Sequence, residues 1–323
     1  MLKAYAAKGD YLTLLDATAP LDAAVWIDLI SPSRDEEKRV EALLGVEIPT
    51  REEMQTIELS SRIYRESDSI FLTGDLLARV DQLLHSAEAV TFVLSRQRLV
   101  TIRYDNLQAF EILSARCCKP GSGLMTGERM LTGLLQTEND YLATVLGRVG
   151  SDLDEMSRQV FSRDLDKSEG SRNFREVLLK LGRREDLLSH VRDSLNTMSR
   201  MISFLRSIDK NEGTLSKDVL TLLKAEDRNV AGMADYLGRL AQKLSFLLEA
   251  TLGLVNVEQN QIIKIFSVAA VALMPPTLVA SIYGMNFKHM PELEWPYGYP
   301  LALSLMVIAS VIPLMWFKRK RWL

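Results

Sequence analysis

Histidine and cysteine are scarce in this chain of 323 residues, which has three of the first and two of the second. His85, His190 and His289 lie far apart and Cys117 and Cys118 are adjacent, so no zinc-ligand spacing is available. The two cysteines read as reduced thiols rather than a disulfide. No Gly-rich loop followed by Lys-Ser/Thr occurs, which removes a phosphate cradle and with it an ATP-driven engine. Gly121, Gly123 and Gly127 have the wrong spacing for a dinucleotide fingerprint and follow a proline rather than a strand. No paired acid and base and no nucleophile constellation stands out, so an enzyme is the least favoured class and no organic cofactor is expected. Residues Met1 to Asp10 contain no apolar core or cleavage site, so no signal peptide is expected.

Charge is missing from two stretches near the C-terminus. Ile265 to Tyr283 is nineteen residues without a charge, and Trp295 to Phe317 is twenty-three. Each is long enough to cross roughly 30 Å of hydrocarbon as a helix, and nothing before Lys264 approaches either. Residues 284–323 carry five Lys/Arg against two Asp/Glu, which leaves residues 1–264 with a formal charge of −6. An acidic soluble part argues against nucleic acid as a partner and is compatible with metal cations, although solubility alone accounts for it. Lys264 precedes the first span and Lys318, Arg319, Lys320 and Arg321 follow the second. Positive flanks stay cytoplasmic, so both termini are expected inside, with a short loop outside.

Ahead of the spans, residues 1–118 read as an α/β domain. Ala24 to Ile30 looks like a strand ended by Ser31-Pro32, and a charged helix follows from Ser33 to about Leu44. Ser69 to Leu77 and Ala89 to Tyr104 add strand-like runs, the second with a hairpin signal at Ser95-Arg96-Gln97-Arg98. Lys119 to Gly123 is a linker. A helical hairpin region is expected over 119–213, with amphipathic runs from about Thr126 to Phe161 and Ser171 to Leu205. The expected breaks are Asp166–Gly170 and Asp209–Gly213. Residues 214–283 read as one stalk helix running into the first transmembrane helix, on the order of 100 Å long. So long a helix implies packing against neighbours. An external loop over 284–296, a second transmembrane helix over 297–317 and a basic cytoplasmic tail over 318–323 complete the chain.

The first span has a polar seam. With Asn260 at zero and about 100° per residue, Ile263, Ser267, Ala270, Met274, Thr277 and Ser281 fall on one face roughly 100° wide. Small residues at that spacing serve close helix packing; the same stripe lines a pore if several copies surround an axis. Pro275-Pro276 in mid-span bends the helix or frees the carbonyls near Val271 and Ala272, which is tolerated where protein or water satisfies them. With no Asp, Glu, Lys, Arg or His in either span, a proton relay within the membrane is not expected.

After the first span come Tyr283-Gly284-Met285-Asn286-Phe287, then Met290-Pro291-Glu292-Leu293 and Trp295-Pro296-Tyr297-Gly298-Tyr299-Pro300. With the ending Phe317-Lys318-Arg319-Lys320-Arg321-Trp322-Leu323 and the upstream run Asn256 to Phe266, this closely resembles the CorA family of magnesium transporters, in the form typical of Gram-negative bacteria. The likeness extends to Ala24-Val25-Trp26-Ile27-Asp28-Leu29 at the start.

The resemblance implies a funnel-shaped homopentamer in the bacterial inner membrane, with an α/β cytoplasmic domain, a long helical stalk and two C-terminal transmembrane helices. Gly284, Met285 and Asn286 would form the outer mouth. Asn260, Met274 and Thr277 would line the pore, with Ile263 and Phe266 near a hydrophobic gate. Mg²⁺ would be both cargo and regulator, with Co²⁺ and Ni²⁺ as further candidate ions. Cytoplasmic Mg²⁺ bound between subunits would hold the funnel closed, and Glu226, Asp227 and Glu249 are the candidate carboxylates. One departure is Lys288, where the family commonly has an acidic residue; with His289 it leaves Glu292 and Glu294 as the acidic groups of the loop. Two other readings remain: zinc transport by the related branch sharing Gly-Met-Asn, and a membrane-tethered sensor or scaffold whose spans only anchor it.

Overall fold

The computed structural model describes residues 1–16, 18–55, 62–80, 85–96, 98–161, 170–212, 215–286, 290–291 and 295–320. Its strands are β1 (Leu2–Lys8), β2 (Tyr11–Leu14), β3 (Ala24–Ile30), β4 (Ile63–Glu66), β5 (Ser69–Val80), β6 (His85–Ser95) and β7 (Arg98–Arg103). Its helices are α1 (Arg34–Leu44), α2 (Arg51–Met54), α3 (Gln108–Cys117), α4 (Gly127–Phe161), α5 (Gly170–Glu212), α6 (Lys217–Tyr283) and α7 (Gly298–Arg319). Two compact units result. One comprises Met1–Arg163 with Glu176–Leu248, the other Asp164–Arg175 with Glu249–Leu323.

The first unit is built on a sheet of order β2-β1-β3-β7-β6-β5-β4. Its pairings are antiparallel except β3 with β7, where Trp26 lies opposite Leu99 and Ile30 opposite Arg103. A strand covered on both faces reads as a continuous apolar run, and β3 is Ala-Val-Trp-Ile-Asp-Leu-Ile with Trp26, Ile27 and Leu29 fully buried. Its one charge, Asp28, is also buried. Arg103 on the neighbouring strand donates to it through Nε (3.1 Å) and Nη2 (2.8 Å), and Thr101 Oγ1 donates at 2.8 Å. The Arg103 guanidinium also lies 4.7 Å over the Phe110 ring of α3. A bidentate pair of this kind ties the two parallel strands in register, because losing either partner strands a buried charge.

Local chemistry sets the ends of α1. Ser33 and Glu36 form a reciprocal capping box, and Gly45 closes the helix at φ 71° with its N–H on the Glu41 carbonyl. The hairpin signal holds: β6 and β7 pair with Ser95 opposite Arg98. The expected break at Asp209–Gly213 does not hold for its described part, since α5 runs on through Glu212. Asp209 sits in the last turn and accepts the Leu215 N–H at 2.9 Å, so this polar cluster finishes the helix rather than interrupting it. In the other expected break, Gly170 is the first residue of α5 and 166–169 fall outside the described residues. The sequence did not announce β1, β2, β4, α2 or α3.

Two glycines matter because a neighbouring element approaches them closely, by backbone at Gly127 and by a side chain at Gly74. A Cβ on Gly127, where α4 begins, would lie 2.3 Å from the Arg98 carbonyl carbon. One on Gly74 in β5 would lie 2.0 Å from Thr197 Cγ2 of α5. Since backbone cannot rotate away as a side chain can, Gly127→Ala is expected to destabilise the first unit by about 1–3 kcal/mol. Denaturant unfolding followed by circular dichroism measures this; an unchanged midpoint would show that α4 shifts freely from the hairpin.

Candidate functional site

In the second unit, α6 from Glu249 onward and α7 are both apolar and long enough to cross a membrane, and nearly all their side chains are exposed. Ala302 and Phe317 of α7 and Thr251 of α6 are buried, and beyond Lys264 the less exposed positions of α6 are Ser267 and one stripe. Val268 is buried, and Ala272, Pro275, Pro276, Val279 and Tyr283 are half-buried. At about 100° per residue this stripe is centred roughly opposite the seam running from Asn260 to Ser281. Asn260, Ile263, Met274 and Thr277 therefore share an open face, with Phe266 at its edge, and all five are exposed.

The mid-span prolines stay within a continuous α6. Lacking an N–H, Pro276 leaves the Ala272 carbonyl without its helical partner. Ser310 of α7 fills that place, its hydroxyl donating to the Ala272 oxygen at 3.0 Å. This freed carbonyl is thus satisfied by protein, so it is no mark of a lined cavity. One residue further, Thr277 donates its hydroxyl to the Leu273 carbonyl at 2.7 Å. At the helix end Gly284 donates its N–H to Ala280 (2.9 Å) and Met285 to Ile282 (3.2 Å), after which Asn286 leaves the helix with its side chain exposed. Lys288, His289, Glu292 and Glu294 lie outside the described residues.

The three carboxylates expected to hold regulatory metal are not brought together. Glu226 is buried in the first unit at 4 % exposure, with one oxygen accepting from Asn229 Nδ2 at 3.2 Å and the other unpartnered. Burial pushes its carboxyl above the usual range, with Asp140 adding to the rise and Asn229 and Asn139 opposing it. Asp227 is paired with Arg206. Glu249 is exposed, roughly six helical turns along α6. Among the described residues no three His, Cys, Asp or Glu side chains converge.

A more deeply buried acid went unnoticed in the sequence. Glu138 of α4 is 1 % exposed and neither carboxylate oxygen has a hydrogen-bond partner. Burial pushes it up to about 8, against a smaller opposing pull from the Leu77 backbone. The signal was present: Leu135, Glu138, Leu142, Val145 and Val149 recur at helical spacing, so a charged residue occupies a core position.

The sequence profile of CorA-like Mg²⁺ transporter proteins matches residues 22–319. The chain belongs to this family. It is 35 % identical over 325 residues to the magnesium transport protein CorA of Escherichia coli K12, covering all of both chains. It is 34 % identical over 328 residues to that of Haemophilus ducreyi, again covering all of both. Among solved structures the CorA magnesium transporter of Methanocaldococcus jannaschii superposes with a TM-score of 0.73 at 18 % identity, over 100 % of this chain and 99 % of the other. The full-length CmaX protein superposes with a TM-score of 0.68 at 15 % identity, over 99 % and 97 %. CorA family members are transporters, and the α/β sheet domain, long helix and C-terminal apolar helix seen here are those of the CorA fold.

Two outcomes follow for this chain. Folded Glu138 keeps a proton that the unfolded chain releases above about 4.5, so its contribution weakens stability as pH rises from about 4.5 to about 8. Glu138→Gln is expected to raise stability at pH 7 by on the order of 3 kcal/mol and to flatten that pH dependence, read from denaturant midpoints at pH 5 and pH 8. Ser310→Ala leaves the Ala272 carbonyl unpaired and is expected to cost about 1 kcal/mol in detergent unfolding, while Ser310→Thr, which keeps the hydroxyl, retains wild-type stability.

Proposed function

We propose that five copies of this chain surround an axis in the bacterial inner membrane and conduct Mg²⁺ into the cytoplasm, with both termini on the cytoplasmic side. α6 lines the pore through Asn260, Ile263, Phe266, Met274 and Thr277, and Gly284, Met285 and Asn286 form the outer mouth. The observation that carries this reading is the seam on α6: neutral, exposed at every position except half-buried Ser267, opposite the half-buried stripe of the same helix and ending at Asn286. The positive residues Lys264 and Lys318 to Lys320 at the other ends of the spans support the orientation.

The chemistry of the seam suits the cargo. Mg²⁺ sheds its water reluctantly and is bound best with several waters retained. A ring of amides bonds to those waters without stripping them, whereas a ring of carboxylates would hold the ion too tightly to release it. No coupled energy source is required, since a divalent ion gains roughly 4–5 kcal/mol crossing 100 mV into a negative interior. Co²⁺ and Ni²⁺ are further ions that the same hydrated path would admit. Cytoplasmic Mg²⁺ bound between subunits closes the channel, and of the three candidate carboxylates Glu249 is the open one, Glu226 being buried and Asp227 paired.

Mg²⁺ flux into liposomes holding the purified chain tests this, with lumenal Mg²⁺ varied and Asn286→Ala beside the wild type. Wild-type flux is expected to fall as lumenal Mg²⁺ rises, and the variant to lose at least tenfold, about 1.4 kcal/mol at the mouth. Full uptake by Asn286→Ala would place the mouth elsewhere. Zn²⁺ uptake exceeding Mg²⁺ would favour the zinc branch, and absence of any wild-type flux would favour an anchored sensor.

A further inference from the structure

The hydrogen bond from Ser310 to the Ala272 carbonyl sets the height of α7 against α6, and that height carries to both ends of the spans. Eleven residues toward the connecting loop are Tyr283 on α6 and Tyr299 on α7. Both line one cavity, so the helices run antiparallel in this register. In the opposite direction Lys264 lies eight residues from Ala272 and Lys320 ten from Ser310. At about 1.5 Å per residue the lysines sit roughly 12 and 15 Å to one side of the bond and the tyrosines roughly 16 Å to the other. The two levels are thus about 30 Å apart, the thickness of the hydrocarbon core, which puts both ammonium groups at the height of the lipid headgroups.

The two lysines also share a flank. Ala302, Met306, Ala309, Ser310, Pro313 and Phe317 are the less exposed residues of α7 and mark its side turned to α6. Lys320 caps α7 with its N–H on the Trp316 carbonyl at 3.0 Å, so it keeps the helical course. At about 100° per residue it lies roughly 30° from the middle of that side, whereas Lys318 and Arg319 each lie roughly 130° away. On α6, Lys264 lies roughly 70° from the middle of the stripe running from Val268 to Tyr283, rotated in the same sense as Lys320. In an antiparallel pair, offsets of the same sense fall on the same flank. Trp316 is on that flank too, with the Lys320 Nζ 5.9 Å from its ring. All three side chains are exposed, and among the described residues neither ammonium meets a carboxylate.

Two cations on one flank repel each other, and the cost falls when an anion lies between them. At this height in the bilayer the anion at hand is a lipid phosphate, and Trp316 offers an amphipathic ring to the region just beneath it. We infer that Lys264 and Lys320 together hold the phosphodiester of one anionic phospholipid, with Trp316 against its glycerol and upper acyl region. Only the choice of leaflet, the cytoplasmic one, rests on the orientation proposed above.

Native mass spectrometry of the full chain in detergent reads the site without any flux measurement, by titration with phosphatidylglycerol or with phosphatidylcholine of the same acyl chains. The first phosphatidylglycerol is expected to bind at least about tenfold tighter than phosphatidylcholine. Lys264→Gln/Lys320→Gln loses that preference and Lys264→Arg/Lys320→Arg keeps it. Lys318→Gln/Arg319→Gln, which removes the same charge from the side turned away, also keeps it. Equal loss in the two glutamine variants would show diffuse attraction to a basic tail and overturn the site, as would equal binding of the two lipids by the wild type. Displacement of phosphatidylglycerol by millimolar inorganic phosphate would make the ligand a free anion instead. A chain that keeps the lipid preference but conducts no Mg²⁺ would sink the channel reading and not this one.

Discussion

A backbone in hydrocarbon has no water to turn to, so every peptide group must find its partner within the protein. That constraint governs the apolar half of α6, a helix of 67 residues. Two consecutive prolines in its apolar half remove two donors at the place where the constraint is harshest. The chain answers from the neighbouring helix: Ser310 of α7 donates to the Ala272 carbonyl that Pro276 cannot reach. The prolines thereby couple the two apolar helices, and the coupling lies on the half-buried side of α6, leaving the other side open.

The first unit meets a related problem with charge. Asp28 and Arg103 are buried together, satisfied by each other, by Thr101 and by the Asp105 and Asn106 oxygens, so the pair fixes register without leaving a charge alone. Glu138 is buried without such company and is held neutral instead. Both were written plainly in the sequence as charges within apolar patterns, yet they differ because Asp28 faces a parallel strand supplying a guanidinium and Glu138 faces none. Nothing in either local sequence carries that difference.

Elements whose signal is local were legible in advance. The β3 run, the charged helix α1, the β6–β7 hairpin and the long amphipathic helices all follow from propensity and period. Elements that depend on tertiary neighbours were not. β1 is Leu-Lys-Ala-Tyr-Ala-Ala-Lys, rich in helix-favouring alanine, and is a strand because β2 and β3 flank it. α3 begins without a side-chain cap and is held by Phe110 and Leu113 in the core. The seam of α6 was readable from period alone, because a long helix fixes angular position whatever surrounds it. Glu226 was not, since adjacent helical positions point about 100° apart and only packing decides that 226 turns inward while 227 meets Arg206.

The exposed surface of α6 divides into two kinds. Ile265, Leu273, Leu278 and Ile282 are at home against lipid or another copy's apolar face. Asn260, Thr277, Ser281 and Asn286 gain nothing from lipid, so hydrocarbon contact would leave their polar atoms unmatched. Thr277 sharpens the point: its proton is committed to the Leu273 carbonyl, so what it turns outward is an oxygen that only accepts. The waters around a hydrated dication are polarised donors, and they match acceptor oxygens of this kind. A seam that offers acceptors without charge suits loose binding of such an ion, which is what the proposed conducting path requires.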